Sequence, residues 1–374
     1  MARILILGGG FGGLVVARRL ASFKAGFDVT LVDQKDTFDF LPNLPDAIGR
    51  GINTEFLSSS IPQIAKKYGF NFVKEEISRV DLKEKKAFGE PVAFGYDYLV
   101  ISTGSQTNFY GNEELRQNAY KLDNIEDARR ITDSLENGNF LNFIVSGGGY
   151  TGVEIASNLK RYLASRSRKG NIFIIERASS ILGPLPLWIK NYIMKELGDL
   201  RIKTFTDTTV MQIRNNSVFL SNGEVFSDAM LIWAAGVKTS DFIDKLNLDK
   251  NKQGRIRVDR YLMAYDSCFV IGDAAEFLSK GSPLRMAVQF SIAQGECVAR
   301  NILKKTSGKR LILFRPLDLG YIIPLANNSS CGMVMGFRLR GFLPTLLHFI
   351  MCIYRSYGLK NKIGIIMDLM KGGL

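Results

Sequence analysis

Histidine occurs once in the 374 residues, at position 348, so a His-rich metal centre cannot be assembled and a serine-hydrolase triad is not expected. The four cysteines, Cys268, Cys297, Cys331 and Cys352, lie 29, 34 and 21 residues apart. No C-x-x-C pair exists, which removes a thioredoxin-type dithiol and a zinc knuckle, and so few thiols cannot form a disulfide scaffold. No stretch reaches the roughly 18 uncharged apolar residues of a spanning helix. A cleavable leader is not expected either, because Arg3-Ile4-Leu5-Ile6-Leu7 runs straight into a glycine cluster and reads as a first strand. An intracellular chain that does not cross a bilayer is expected, its chemistry supplied by a bound cofactor.

What is present is ordinary globular material. Apolar residues make up 46 % and charged residues 23 %, which excludes a disordered or collagenous chain, and the length suggests two or three domains. The net charge of +13 is concentrated at one end: residues 300–374 hold twelve Lys and Arg against two Asp, leaving only +3 for the rest. Such a segment suits nucleic acid or an anionic membrane surface, and its apolar content decides between them.

The strand Arg3–Leu7 leads into Gly8-Gly9-Gly10-Phe11-Gly12-Gly13 and then a helix over Leu14–Phe23. Gly8, Gly10 and Gly13 fit G-x-G-x-x-G. The first makes the tight turn, the second admits a pyrophosphate, and the third lets helix pack on strand. A second strand, Asp28–Val32, ends on Asp33, a carboxylate placed to accept hydrogen bonds from ribose hydroxyls. The same arrangement recurs. The strand Asn142–Ser146 precedes Gly147, Gly149 and Gly152, a helix spans Val153–Leu163, and the strand Asn171–Ile175 ends on Glu176. Two units imply two dinucleotides, one resident and one exchanging, as in a flavin–nicotinamide pair. Glu176 favours NADH by repelling a 2′-phosphate, whereas the adjacent Arg177 would accommodate one, so NADPH stands as the alternative.

Three later strands complete the pattern: Tyr96–Gly104 ending in Thr103-Gly104, Met230–Gly236, and Cys268–Ala275 with its Gly272-Asp273. Taken together, these segments resemble the two-dinucleotide-fold flavoproteins, and within them the type II NADH:quinone oxidoreductases, over nearly the whole chain. The resemblance implies an α/β protein with two Rossmann-like domains and a C-terminal amphipathic, membrane-facing helical extension. One FAD domain would comprise 1–112 and 255–316, an inserted NADH domain 113–254, and the extension 317–374. Gly8, Gly10, Phe11, Gly12, Gly13, Asp33 and Gln34 would hold FAD, with Pro42 in a loop beside the flavin, Thr103 and Gly104 at a chain crossover, and Gly272 and Asp273 on the pyrophosphate–ribityl region. Gly147, Gly149, Thr151, Gly152, Glu176 and Gly236 would hold NADH. Gly147-Gly148-Gly149-Tyr150-Thr151-Gly152-Val153-Glu154 is similar to the family's G-G-G-x-T-G-V-E, which implies that Glu154 faces the nicotinamide–flavin contact.

The electron acceptor follows from the rest. Disulfide reductases of this superfamily carry a Cys pair near either nucleotide unit, but no Cys precedes position 268. The segment 285–295 is similar to the family's quinone-side helix, A-Q-x-A-x-Q-Q. Gln289 and Gln294 match its first and last glutamines, while Ala293 replaces the middle one and Val288 and Ser291 replace its alanines. Phe342–Tyr354 and Ile363–Met370 are apolar runs too short to span, flanked by Arg338, Arg340, Arg355, Lys360, Lys362 and Lys371. They suit an interfacial helix pair at the cytoplasmic face of the cell membrane, lining a quinone path or pairing two subunits as a homodimer. A helical hairpin packed on the body is the alternative, and His348 reads as a packing residue. The apolar runs argue against nucleic acid. The expected activity is hydride transfer from NADH to FAD and on to a membrane quinone, without proton pumping. The rivals are sulfide:quinone oxidoreductase, a soluble NAD(P)H-dependent flavin reductase serving an electron-carrier protein, and a non-catalytic FAD protein.

Overall fold

Ile4 to Leu7 are all buried, as are Leu99 to Ile101 and Cys268 to Val270, so these short runs have the two-sided burial of parallel strands. In the computed structural model, which describes residues 1–23 and 26–374, they join one sheet. Its order is Met263–Tyr265, Cys268–Val270, Tyr98–Ile101, Arg3–Leu7, Asp28–Asp33, Asn71–Lys74. All neighbours are parallel except the first pair. The chain leaves Arg3–Leu7 in the middle of this sheet through the helix Phe11–Ala21, and the strand order reverses there, the place where open α/β sheets bind ligands.

Backbone contacts gather the chain into two units. The first holds residues 1–38, 59–106 and 237–318, with Leu5, Leu99, Ile243, Leu246 and Val270 in one core. The second holds 39–58, 107–236 and 319–374. It has a four-stranded parallel sheet ordered Ile202–Phe205, Asn171–Ile175, Asn142–Ser146, Ala229–Trp233, with the helix Tyr150–Ser165 after its first strand. These divisions differ from the boundaries expected at 112, 254 and 316. Residues 237–254 bring Ile243 and Leu246 into the first core. Residues 319–374 are no separate extension, because Ile323, Leu325 and Cys331 share a core with Ile155 and Leu159. Ile48 joins that same core.

Within the tail, an antiparallel meander of Gly320–Ile323, Ser330–Val334 and Phe337–Gly341 precedes the helices Phe342–Arg355 and Leu359–Gly372. Each helix buries one stripe, Phe349 and Cys352 in one and Ile365 and Leu369 in the other. The opposite faces expose Phe342, Leu343, Ile350, Ile363, Ile366 and Met367, together with Tyr354 at 74 % and Met370 at 76 %. Among the described residues no helix is long and apolar enough to cross a membrane. Leu41–Pro45, expected as a loop, is a 3₁₀ turn (Leu41–Asn43) running into the helix Leu44–Gly49, with Pro42 and Pro45 in first-turn positions where a missing N–H is harmless.

Candidate functional site

In the first unit the loop after Arg3–Leu7 is shaped by contact. Gly8 sits at φ +101°, and a Cβ there would lie 2.5 Å from the Ser102 carbonyl oxygen. A Cβ on Gly13 would overlap the Gly8 carbonyl oxygen, so glycine is what lets the helix approach the strand. Around Gly10 the space is open, with nothing within 4 Å of an added Cβ. Gly10 is also the helix N-cap and supplies no capping side chain, which leaves the positive end of the helix to an anion. Asp33 braces the loop, accepting from the Gly9 N–H at 2.6 Å and the Lys35 N–H at 2.8 Å. Gly8, Asp33, Gln34 and Thr103 line a cavity of about 210 Å³, whose walls also carry Glu75, Glu76 and Asp241. That acidity suits a hydroxyl-bearing adenosine end.

Gly272 and Asp273 stand at the carboxyl end of Cys268–Val270 in the same unit. Ser105 donates to Asp273 at 2.8 Å. Burial raises the Asp273 pKa, opposed by the Ser105 hydrogen bond and by Arg255. Arg255 is buried and donates to the Ala275 and Leu284 carbonyl oxygens at 2.5 and 3.1 Å. Phe11 packs edge-on against Phe38 at 4.9 Å, and Gly12 faces Ile271 and Ser291. Gly104 takes φ +69° in the crossover loop. Gln294 is buried, its side-chain oxygen accepting from the Gly272 N–H at 2.6 Å. Gln289 donates to Asp318 at 3.2 Å, and Asp318 is gripped by both terminal nitrogens of Arg285.

The second unit repeats the loop almost atom for atom. Gly147 has φ +106°, and its Cβ would lie 2.6 Å from the Ala234 carbonyl oxygen. A Cβ on Gly152 would overlap the Gly147 carbonyl oxygen, and Gly149 is again open and again the uncapped helix start. Glu176 accepts from the Gly148 and Ala178 N–H groups at 2.7 and 2.8 Å. Gly147, Gly149, Glu176 and Gly236 line a cavity of about 520 Å³, with Arg177, Tyr110 and Trp233. Thr151 is exposed on the first turn of the helix.

A sequence profile of pyridine nucleotide-disulphide oxidoreductases matches residues 2–295. The chain belongs to that family. Among curated proteins, this oxidoreductase is 29 % identical to the demethylphylloquinone reductase of Synechocystis, over 94 % of this chain and 92 % of that one. It is 26 % identical to the type II NADH:quinone oxidoreductase of Staphylococcus aureus, over 89 % and 90 %. Among solved structures, the Plasmodium falciparum NDH2 in complex with NADH superposes with a TM-score of 0.86 at 18 % identity, covering 99 % of this chain and 98 % of that one. The Aquifex aeolicus sulfide:quinone oxidoreductase gives 0.82 at 17 %, over 97 % and 92 %. These two show likeness of fold.

The disulphide in the family name has no counterpart here, since all four cysteines are free and buried. Burial pushes the Cys331 thiol up to about 12, far from the reactive thiolate range. Glu154, on the helix Tyr150–Ser165, lies near a polar cluster that the sequence did not disclose. Arg50 donates to Asp46 at 3.0 Å, and His348 Nε2 stands 3.8 Å from Asp46 and 3.6 Å from the Cys352 sulfur. Burial pushes the Glu154 carboxyl up to about 8, against a downward pull from His348 and with a further push from Asp46. Burial disfavours the His348 cation, yet Cys352 and Asp46 raise its pKa well above the imidazole value. The cluster escapes sequence reading because Asp46, Glu154 and His348 come from three distant segments. The one available signal was the single histidine, set in the apolar run Phe342–Tyr354.

Proposed function

We propose that this chain is an FAD enzyme that oxidises NADH and reduces a membrane quinone without moving protons across the bilayer. The observation that carries this reading is the duplicated site. Each unit has an open middle glycine at an uncapped helix start, with a strand-end carboxylate holding the loop. A protein with two such cradles binds two dinucleotides. Relatives named for NADH:quinone and demethylphylloquinone reduction, each matched over about nine-tenths of its length, support NADH as donor and quinone as acceptor.

FAD in the first unit would accept a hydride from NADH and release the two electrons to the quinone. The Gly8–Gly13 loop and its helix would face the pyrophosphate, Asp33 and Gln34 the adenosine, and Asp273, fixed by Ser105, the ribityl region. In the second unit Gly147, Gly149 and Gly152 would cradle NADH, and Glu176 would take its ribose hydroxyls. Glu154 holds a proton at neutral pH and can give it up from its carboxyl oxygen, which suits a reduction that takes up a proton beyond the hydride. Gln289 and Gln294 would lie on the quinone side. The exposed apolar faces of Phe342–Arg355 and Leu359–Gly372, with Arg355, Lys360 and Lys362 near them, would rest in the interface of an anionic membrane on the cytoplasmic side. Arg338 and Arg340 are exposed as well, their guanidinium carbons 5.6 and 5.1 Å from the centre of the Trp188 ring.

Stopped-flow mixing tests the proposal. NADH should bleach the flavin rapidly, and a short-chain quinone should restore it. Bleaching by sulfide alone, reoxidation only by a carrier protein, or no bleaching by either donor would each refute it.

A further inference from the structure

The cavity of the second unit divides by chemistry. Part of its lining is polar, the Gly147 and Gly149 turn with Glu176 and Arg177, and part is apolar, with Leu115, Ile175 and Val210. The apolar part belongs to the Glu176 end. Ile175 directly precedes Glu176, and the Thr208 N–H, two residues before Val210, donates to the Glu176 carbonyl oxygen at 3.1 Å. In a strand–turn–helix unit of this kind the strand-end acid takes the adenosine ribose, so the base that lies beyond it is adenine.

Tyr110 is in the same lining. It stands in a short segment pinned to its surroundings at three points. The Asn108 N–H donates to the Gly236 carbonyl oxygen at 3.2 Å, the Asn108 carbonyl accepts from Trp233 Nε1 at 2.9 Å, and the Asn112 side chain donates to the Met211 carbonyl at 3.4 Å. Inside the segment the Asn108 side-chain oxygen accepts from the Tyr110 N–H at 2.8 Å, and the Phe109 carbonyl accepts from the Asn112 N–H at 3.0 Å. The result is a tyrosine at φ +52°, in the left-handed region that glycine and asparagine occupy far more readily. Among the described residues it is the only aromatic at positive φ, and the only non-glycine residue at positive φ in the lining of either nucleotide cavity.

That backbone does not bury the ring. Phe109 packs on Trp233, with ring centres 5.8 Å apart and planes 26° from parallel, whereas Tyr110 stays 63 % exposed. Its hydroxyl end rests against Gly236, where an added Cβ would overlap it, so the missing side chain at Gly236 makes room for the tyrosine. A strained backbone that presents an aromatic face to a cavity, and not to the core, is the kind of feature found at ligand clamps.

We infer that Tyr110 is the platform on which the adenine of NADH stacks. A base offers a flat π face, and an exposed tyrosine held in one place by backbone hydrogen bonds meets that face with little ordering left to do. The inference rests on NADH occupying this cradle. It adds a binding residue that the glycine pattern does not contain, and gives Gly236 the role of housing it.

The probe is ADP-ribose, which carries the adenosine diphosphate of NADH without its nicotinamide. It is titrated calorimetrically into FAD-loaded enzyme, so that the first cradle is filled. Tyr110→Phe keeps the ring, and Tyr110→Asn removes it with a residue that tolerates the left-handed backbone. Tyr110→Phe should bind ADP-ribose as wild type does. Tyr110→Asn should bind about ten-fold more weakly, need about ten-fold more NADH for half-maximal flavin bleaching, and unfold no earlier than wild type. Binding by Tyr110→Asn as tight as wild type or tighter overturns the inference. So does equal weakening in Tyr110→Phe, which would mark a hydroxyl contact, or weakening accompanied by earlier unfolding, which would mark a purely structural residue. If wild type binds no ADP-ribose, the NADH cradle itself is refuted and the inference falls with it.

Discussion

Replacing Gly149 and Gly152 separately by alanine should split binding from folding within four residues. At Gly149 the backbone is extended (φ −77°, ψ −169°) and an added methyl meets nothing within 4 Å. Alanine narrows the unfolded ensemble by about 0.4–1 kcal/mol, and as an N-cap it loses a similar amount, so stability should stay within about 1 kcal/mol of wild type. The methyl would, however, occupy the place proposed for the pyrophosphate of NADH. Loss of one charge-assisted hydrogen bond, roughly 1.5–3 kcal/mol, corresponds to about a 10- to 100-fold weaker Kd. At Gly152 the same methyl overlaps the Gly147 carbonyl oxygen, so helix and strand must separate, a change costing about 1–3 kcal/mol or more. Thermal unfolding of the FAD-loaded protein without NADH measures the first quantity. Quenching of Trp233, which lines the cavity, by NADH measures the second. If Gly149→Ala unfolds as early as Gly152→Ala, or binds NADH like wild type, the steric reasoning fails.

Glu154 is raised from the ordinary 4.5 to about 8, so the folded protein holds a proton there that the unfolded chain releases. The stabilisation is complete below pH ~4.5 and is lost as pH rises towards 8; urea titrations across that window should slope downward in wild type and flatten in Glu154→Gln. His348, also raised, adds to the same decline above its unfolded value of 6.5, so His348→Gln should remove part of the slope at the alkaline end. Ser105→Ala should leave Asp273 without its 2.8 Å donor and speed FAD loss on dialysis about ten-fold, with unchanged circular dichroism. Aspartate at both Ile350 and Met367, exposed positions, should abolish flotation with anionic liposomes without lowering the unfolding temperature; retained flotation would place the membrane contact elsewhere.

The two glycine loops were legible as shapes because their constraints are local. Gly8 meets Gly13, and Gly147 meets Gly152, within one turn of chain, so spacing alone carries the geometry. The strand-end acids were legible as positions, but their grip on the Gly9 and Gly148 amides was not, since a pattern of residue types shows no hydrogen bonds. The tail meander was missed for a specific reason. Its two-residue turn uses Met335 and Gly336, both at positive φ, and methionine is not a residue that announces such a turn. Residues 39–58 look like a continuation of the first unit by sequence order, yet Ile48 is buried with Val153 and Leu159. Order along the chain gave no hint of that transfer.

One carboxylate in each unit serves two masters. Glu176 secures two main-chain amides and lines the cavity beside Arg177. Redesigning coenzyme preference by exchanging this acid would therefore slacken the very loop proposed to hold the diphosphate, so a gain in discrimination would arrive with a loss in affinity. Arg177 carries no such double duty through its side chain, and it is the place from which selectivity could drift, in the laboratory or over generations, while the cradle keeps its shape.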